Sequence, residues 1–210
     1  LVGCSTFAAD FRGPTVLWSH LMAQRDKGSV FLTPQWQETW WHHHAEESKE
    51  LLLLSIGDAG SNFSGVAPLV RDGDKLGFLG GTDLFDYHDF ILGEAPPLDF
   101  YSVLARCLNQ ERWTELRLES IHEDSATLEY LPAQLIADGH SVTIEHEDVV
   151  PGITLPSSWD QFLEGLRKKD RHELRRKLRR LEEAGEYRLV HAEPQRLETE
   201  LDLFLSLMKE

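Results

Sequence analysis

Residues 51–81 read LLLLSIGDAGSNFSGVAPLVRDGDKLGFLGG, and this stretch decides the fold class. Three short apolar runs, LLLLSIG (51–57), FSGVAPLV (63–70) and KLGFLGG (75–81), are separated by glycine and aspartate. Runs of this length between turn-forming residues predict neighbouring β-strands joined by tight antiparallel connections. DFIL (89–92) predicts a further strand or the end of the third.

Working outward, the period becomes helical on both sides. GPTVLWSHLMAQR (13–25) sets Val16, Leu17, His20 and Leu21 at helical spacing, with Pro14 suited to a first turn. Thr33 followed by Pro34 predicts a capped helix running through WQETWWHHHAEE (36–47). On the other side DFYSVLARCLNQ (99–110) is helical and WTELRLES (113–120) alternates like a half-buried strand. Asp124 or Ser125 caps a helix to Ala137, stopped at Asp138-Gly139, and SVTIEHE (141–147) reads as another strand. The order predicts an α/β class with a mixed, mostly antiparallel central sheet flanked by helices.

After Val149 the pattern starts again. GITLP (152–156) predicts a short strand, and Ser157 or Ser158 caps a helix that Gly165 breaks. A second helix runs to Ala184 and ends at Gly185; EYRLVHAE (186–193) predicts a strand, and Pro194 opens a last helix. Leu201, Phe204, Leu205 and Met208 fall on one face of that helix with no later sequence to cover them. The expectation is a complete first domain, residues 1–149, and the opening of a second, 150–210, with further residues also expected upstream because no initiator Met is present.

Composition narrows the function classes. With 41% hydrophobic residues and six Trp the chain can bury a sizeable core, while a net charge of −15 argues against wholesale nucleic-acid or membrane binding. Cys4 and Cys107 are far apart and in no metal-ligand spacing, so a reducing cytoplasm is expected. LVGC (1–4) has the form of a lipoprotein cleavage box, but no basic region or apolar run precedes it. The run LLLL (51–54) is far too short for a membrane span.

This order of elements resembles the GNAT acyltransferase fold. VFLTPQWQETWW (30–41), GVAPLV (65–70), LGFLGG with DYHDFIL (76–92) and SSWDQFLEGLRKKDRHELRRKLRRLEEAG (157–185) are similar to the bacterial CelD-like acetyltransferases of cellulose and exopolysaccharide biosynthesis. Those resemble in turn the FemAB-type peptidoglycan ligases, which carry two GNAT-like domains in tandem. The resemblance implies an acyl-CoA-dependent N- or O-acyltransferase using acetyl-CoA or another acyl-CoA. Its substrate would be a small molecule or a polysaccharide or cell-envelope precursor.

GNAT donor sites use a glycine-rich turn whose free N–H groups and helix N-terminus receive the pyrophosphate of coenzyme A. The matching place here reads ILGEAPPLDF (91–100), in which the prolines donate nothing and Glu94 repels phosphate. The first domain is therefore expected to be degenerate, with no acyl-CoA loop, and to supply mainly the non-donor half. The alternatives are a non-catalytic binding or scaffold module, and an aminoacyl-tRNA-dependent ligase of FemAB type.

Two constellations stand out. DLFDYHDF (83–90) gathers Asp86, Tyr87, His88 and Asp89 between two predicted strands, where a carboxylate or imidazole can meet a substrate and a plain polar turn is the competing reading. RKKDRHELRRKLRR (167–180) holds nine Lys or Arg against Asp170 and Glu173, which leaves −22 for the remainder of the chain. Arg171, Arg175, Arg176 and Arg179 surround a narrow stripe of Leu174, Leu178 and Leu181. They are anion-binding candidates for coenzyme A phosphates, a nucleotide sugar or tRNA, or else a solvated helix face. No DNA-reading motif accompanies them, so DNA is not expected.

WWHHHAEE (40–47) does not predict a metal site, because successive helical residues point about 100° apart. Trp36, Trp40 and Trp41 are expected to pack, and Cys107 reads as core. No residue is singled out as the catalytic base.

Overall fold

The computed structural model describes residues 2–8, 11–24, 29–58, 63–93, 97–188 and 190–209. The chain divides into two compact units, Leu1–Val149 and Val150–Glu210.

In the first unit the elements run β1 (Val2–Ala8), α1 (Arg12–Ala23), α2 (Pro34–His44), β2 (Lys49–Asp58), β3 (Phe63–Asp72), β4 (Lys75–Phe78), β5 (Ile91–Leu92), α3 (Pro97–Leu108), β6 (Glu115–Arg117) and α4 (Ala126–Ala137). The sheet is mixed and open, in the order β1-β2-β3-β4-β6, with β5 paired to β3. All pairs are antiparallel except β4 with β6, which is parallel. β1 was not anticipated from LVGCSTFA; it pairs along β2 from Val2 opposite Asp58 to Ala8 opposite Leu52.

The LLLL run is continuous rather than alternating because β2 is buried on both faces. Leu52, Leu54 and Ile56 join Phe100, Tyr101, Leu104 and Leu108 of α3 in one core, while Leu51 and Leu53 join Trp18 and Leu21 of α1 in the other. Burying one such leucine contributes about 1.5–3 kcal/mol. Trp18 donates its indole N–H to the Leu32 carbonyl at 2.8 Å, so the largest side chain under α1 is buried without an orphaned donor.

The side-chain caps of α2 and α4 follow the sequence. Thr33 accepts from the Trp36 amide at 3.3 Å, and Ser125 accepts from the Thr127 amide at 3.0 Å.

Strands β4 and β5 lie on the same edge of β3. β4 pairs with Leu69–Asp72 and β5 with Gly65–Val66. Between them the Pro68 carbonyl accepts from Leu79 at 3.0 Å, so the same edge of residue 68 lacks the N–H a longer strand would need. The chain leaves the sheet there and returns at Ile91, making an excursion over residues 79–90.

Three sequence expectations change. DFIL contributes only the two-residue β5, WTELRLES only the three-residue β6, and SVTIEHE forms no strand. Val142 instead packs against the core from an irregular segment.

The second unit contains α5 (Trp159–Gly165), α6 (Lys168–Ala184) and α7 (Leu197–Met208). The expected strands GITLP and EYRLVHAE are irregular among the described residues, so the regular structure described in this unit is helical. α5 is capped by Ser158, and α6 ends at Gly185, whose φ of +150° suits a residue without Cβ. Leu201, Phe204, Leu205 and Met208 of α7 are exposed. No helix among the described residues is long and apolar enough to cross a membrane.

Candidate functional site

The excursion between β4 and β5 carries an aromatic file around the end of β4. Phe85 packs edge-on against Trp36 and Trp40 of α2, lies 6.0 Å from the Phe31 ring, and stacks on the imidazole of His88, 4.6 Å away and 15° from parallel. Beyond His88 lies Phe78, 5.5 Å away and 7° from parallel, and beyond that Phe90 at 5.0 Å. Gly80, at φ +138°, is required here: a Cβ would stand 2.5 Å from His88 Nε2 and 2.9 Å from the Phe85 ring.

His88 is 4% exposed. Neither of its ring nitrogens has a hydrogen-bond partner of ordinary geometry. Burial pushes its pKa down from 6.5 to about 4, against a weaker upward pull from the Glu119 backbone and the Glu147 carboxylate. At neutral pH it is an uncharged imidazole with one N–H and one lone pair to offer.

The backbone at His88 is fixed from the far side. Its amide donates to the Ser120 carbonyl at 2.9 Å. Ser120 itself sits at φ +58°, uncommon for a residue with a Cβ. Glu147 holds it there, accepting from its amide at 2.6 Å and its hydroxyl at 3.3 Å.

His88 borders a groove of about 230 Å³ on the sheet face beside the β4–β6 pair. Register explains its lining. Lys49, Asp72, Lys75 and Glu115 are successive cross-strand partners, so one row alternates in charge across four strands. The next row brings Val70, Gly77 and Arg117 together, and Gly77 leaves the floor open. Lys75 pairs with Glu115 at 2.8 Å, raising the lysine pKa and lowering that of the glutamate. Arg117 pairs with Glu119 at 2.7 Å.

The four residues proposed from DLFDYHDF do not converge. Asp86 is exposed, and Tyr87 rests against the His122 ring at 5.7 Å. Asp89 is taken up by structure: Oδ1 accepts from the Phe90 amide and the Thr127 hydroxyl, and Oδ2 from the Ser125 hydroxyl. Only His88 borders the groove. Gly77, Arg117 and Glu119 were not signalled, because their proximity to His88 arises from the parallel β4–β6 pairing, and the Ser120–Glu147 clamp depends on the irregular segment that carries Glu147.

In the second unit the arginines differ in engagement. Arg171 turns back to the Leu163 and Glu164 carbonyls at the end of α5, at 3.5 and 3.3 Å. Arg176 donates twice to Glu173, at 3.0 and 2.6 Å, and Arg179 stands 3.9 Å from Glu183. Arg175 is exposed, as are Lys168, Lys169, Lys177 and Arg180. Leu174 and Leu178 are half-buried while Leu181 is exposed.

No group of three metal-ligating side chains converges among the described residues. α3 has Pro97 and Asp99 in its opening turn, so it offers a phosphate a missing donor and a negative charge. The residues at this helix start do not fit the pyrophosphate of coenzyme A.

No family model, curated protein or solved structure matches the chain.

Proposed function

We propose that the first unit is the acceptor-holding part of a GNAT-type, acyl-CoA-dependent acyltransferase acting on a cell-envelope or polysaccharide precursor, with the acyl donor handled outside residues 1–149. The observation that carries this reading is His88, a buried and uncharged imidazole that borders a groove and has no hydrogen-bond partner of ordinary geometry at either ring nitrogen. Buried polar atoms held so loosely favour a bound polar ligand. The parallel β4–β6 pair beside antiparallel neighbours supports the likeness to an acyltransferase sheet.

His88 holds rather than activates in this reading. A pKa of about 4 makes it a poor base at neutral pH, so its contribution is a hydrogen bond that orients an amine or hydroxyl. No acyl step is assigned to the first unit, because the opening of α3 does not fit the donor. That mismatch also favours a second reading, a non-catalytic module that binds the same acceptor without transferring anything to it.

Titration of the full chain with acetyl-CoA and with small amine- and hydroxyl-bearing acceptors, followed by calorimetry and by amide NMR, tests the allocation. Acceptor binding without effect at α3 is expected. Saturable acetyl-CoA binding that perturbs the amides of α3 would overturn it. Binding of the acceptor with no transfer when acetyl-CoA is also supplied would select the non-catalytic module.

A further inference from the structure

The groove also carries information about the chemistry of its occupant. Its polar lining is balanced: Lys49, Lys75 and Arg117 against Asp72, Glu115 and Glu119. The charges alternate in space instead of forming two patches, because register sets a cation beside an anion on successive strands. A dianion entering here meets three carboxylates, and a bare cation meets three cations. A molecule carrying both signs satisfies each neighbour.

Exposure makes that exchange feasible. Lys75 and Glu115 keep 62% and 45% of their side-chain surface, and Arg117 and Glu119 keep 69% and 41%. Ion pairs this exposed hold only weakly to one partner and can re-pair with a ligand. At about 230 Å³ the groove is also smaller than the roughly 300–1,000 Å³ of clefts that take drug-sized ligands.

His88 supplies a second observation that the charged rim does not. It is nine-tenths or more buried, borders the groove, and has no hydrogen-bond partner of ordinary geometry at either ring nitrogen. We propose that the groove over Gly77 binds a small zwitterion of amino-acid size, its carboxylate towards Arg117 and Lys75, its ammonium towards Glu115 and Glu119, and a polar atom against His88. This deepens the acceptor-site reading and rests on it: an amino-acid-like molecule has the amine that an acyl acceptor requires.

The test uses the full chain with isotopically labelled histidine and glycine, followed by NMR at fixed pH. The reporters are the His88 ring and the Gly77 amide, and the probes are L-alanine, ethanolamine, acetate, glucose and acetyl-CoA. L-Alanine is expected to shift both reporters saturably, and ethanolamine or acetate to bind at least ten-fold more weakly. Arg117→Gln, at an exposed position, is expected to weaken L-alanine binding at least ten-fold with an unchanged folded spectrum. His88→Phe, which keeps a ring between Phe78 and Phe85, is expected to weaken it as judged by Gly77.

Equal binding of ethanolamine or acetate would overturn the zwitterion, as would glucose moving the reporters where L-alanine does not; either result leaves the acceptor site standing. Acetyl-CoA moving the reporters would overturn the acceptor allocation as well. If no probe moves either reporter, the groove is not a binding site and both readings fall.

Discussion

The hydroxyl of Thr127 donates to Oδ1 of Asp89 at 2.5 Å, tying the chain just before β5 to the first turn of α4. The Tyr101 hydroxyl meets the same Thr127 oxygen at 2.8 Å, so α3 joins the connection. A residue that looked available for substrate is the hub of a three-element polar network.

Asp89→Ala is therefore expected to destabilise the protein by about 2–3 kcal/mol, since it orphans hydroxyls that bond to a charged acceptor. Urea unfolding measures this. A midpoint unchanged from wild type would show that the network contributes nothing net.

His88 predicts a specific acid sensitivity. In the unfolded chain its imidazole titrates near 6.5, in the folded chain at about 4. The unfolded state takes up the proton first, so stability is complete above pH 6.5 and declines as pH falls towards 4, by up to about 3 kcal/mol. His88→Phe removes this contribution. Comparing the urea midpoints of wild type and variant at neutral and mildly acidic pH isolates it, because the other titrating groups are common to both. Parallel pH dependences would contradict a buried neutral imidazole.

Two glycines separate crowding from backbone strain. A Cβ at Gly65 would stand 2.3 Å from the Ile91 carbonyl oxygen and 2.7 Å from the Phe100 ring, so Gly65→Ala is expected to cost about 3 kcal/mol. Gly73, in the turn between β3 and β4, has φ +61° and open space around it, and Gly73→Ala is expected to cost only about 1 kcal/mol. Chemical denaturation of the two variants should give this order.

Ser120 is a third backbone probe. Ser120→Gly relieves the positive φ and keeps the amide bond to Glu147, losing only the longer hydroxyl contact. Its stability is expected within about 0.5 kcal/mol of wild type. Ser120→Val, branched at Cβ, is expected to lose about 2 kcal/mol. Thermal unfolding distinguishes them, and a valine variant as stable as wild type would remove the case for strain.

Local signals were most legible where a residue's own chemistry decides its conformation. Thr33 before Pro34, Ser125 before an apolar helix, and Gly185 after one marked helix boundaries that the structure keeps. The three strands β2, β3 and β4 were likewise evident between their turn residues. SVTIEHE, GITLP and EYRLVHAE have strand-like patterns, but a strand also needs a partner edge, which composition does not supply.

The site was legible only at His88. The loop DLFDYHDF was identifiable as unusual, but whether Asp89 faces solvent or the Ser125 and Thr127 hydroxyls depends on where α4 begins in space. Arg117 and Glu119 lie far from His88 in sequence and reach its groove through the parallel pairing of β4 and β6.

The interruption at Pro68 gives the 79–90 segment a modular character. Because it departs from and rejoins the same edge of β3, its length can change without shifting the register of any sheet pair. Doubling such a loop costs only about 0.6 kcal/mol in closure entropy. The sheet can therefore serve as a constant frame while the exposed residues Thr82, Asp83, Leu84 and Asp86 are exchanged around the buried Phe85 to reshape the groove mouth, a natural entry point for redirecting what this protein holds.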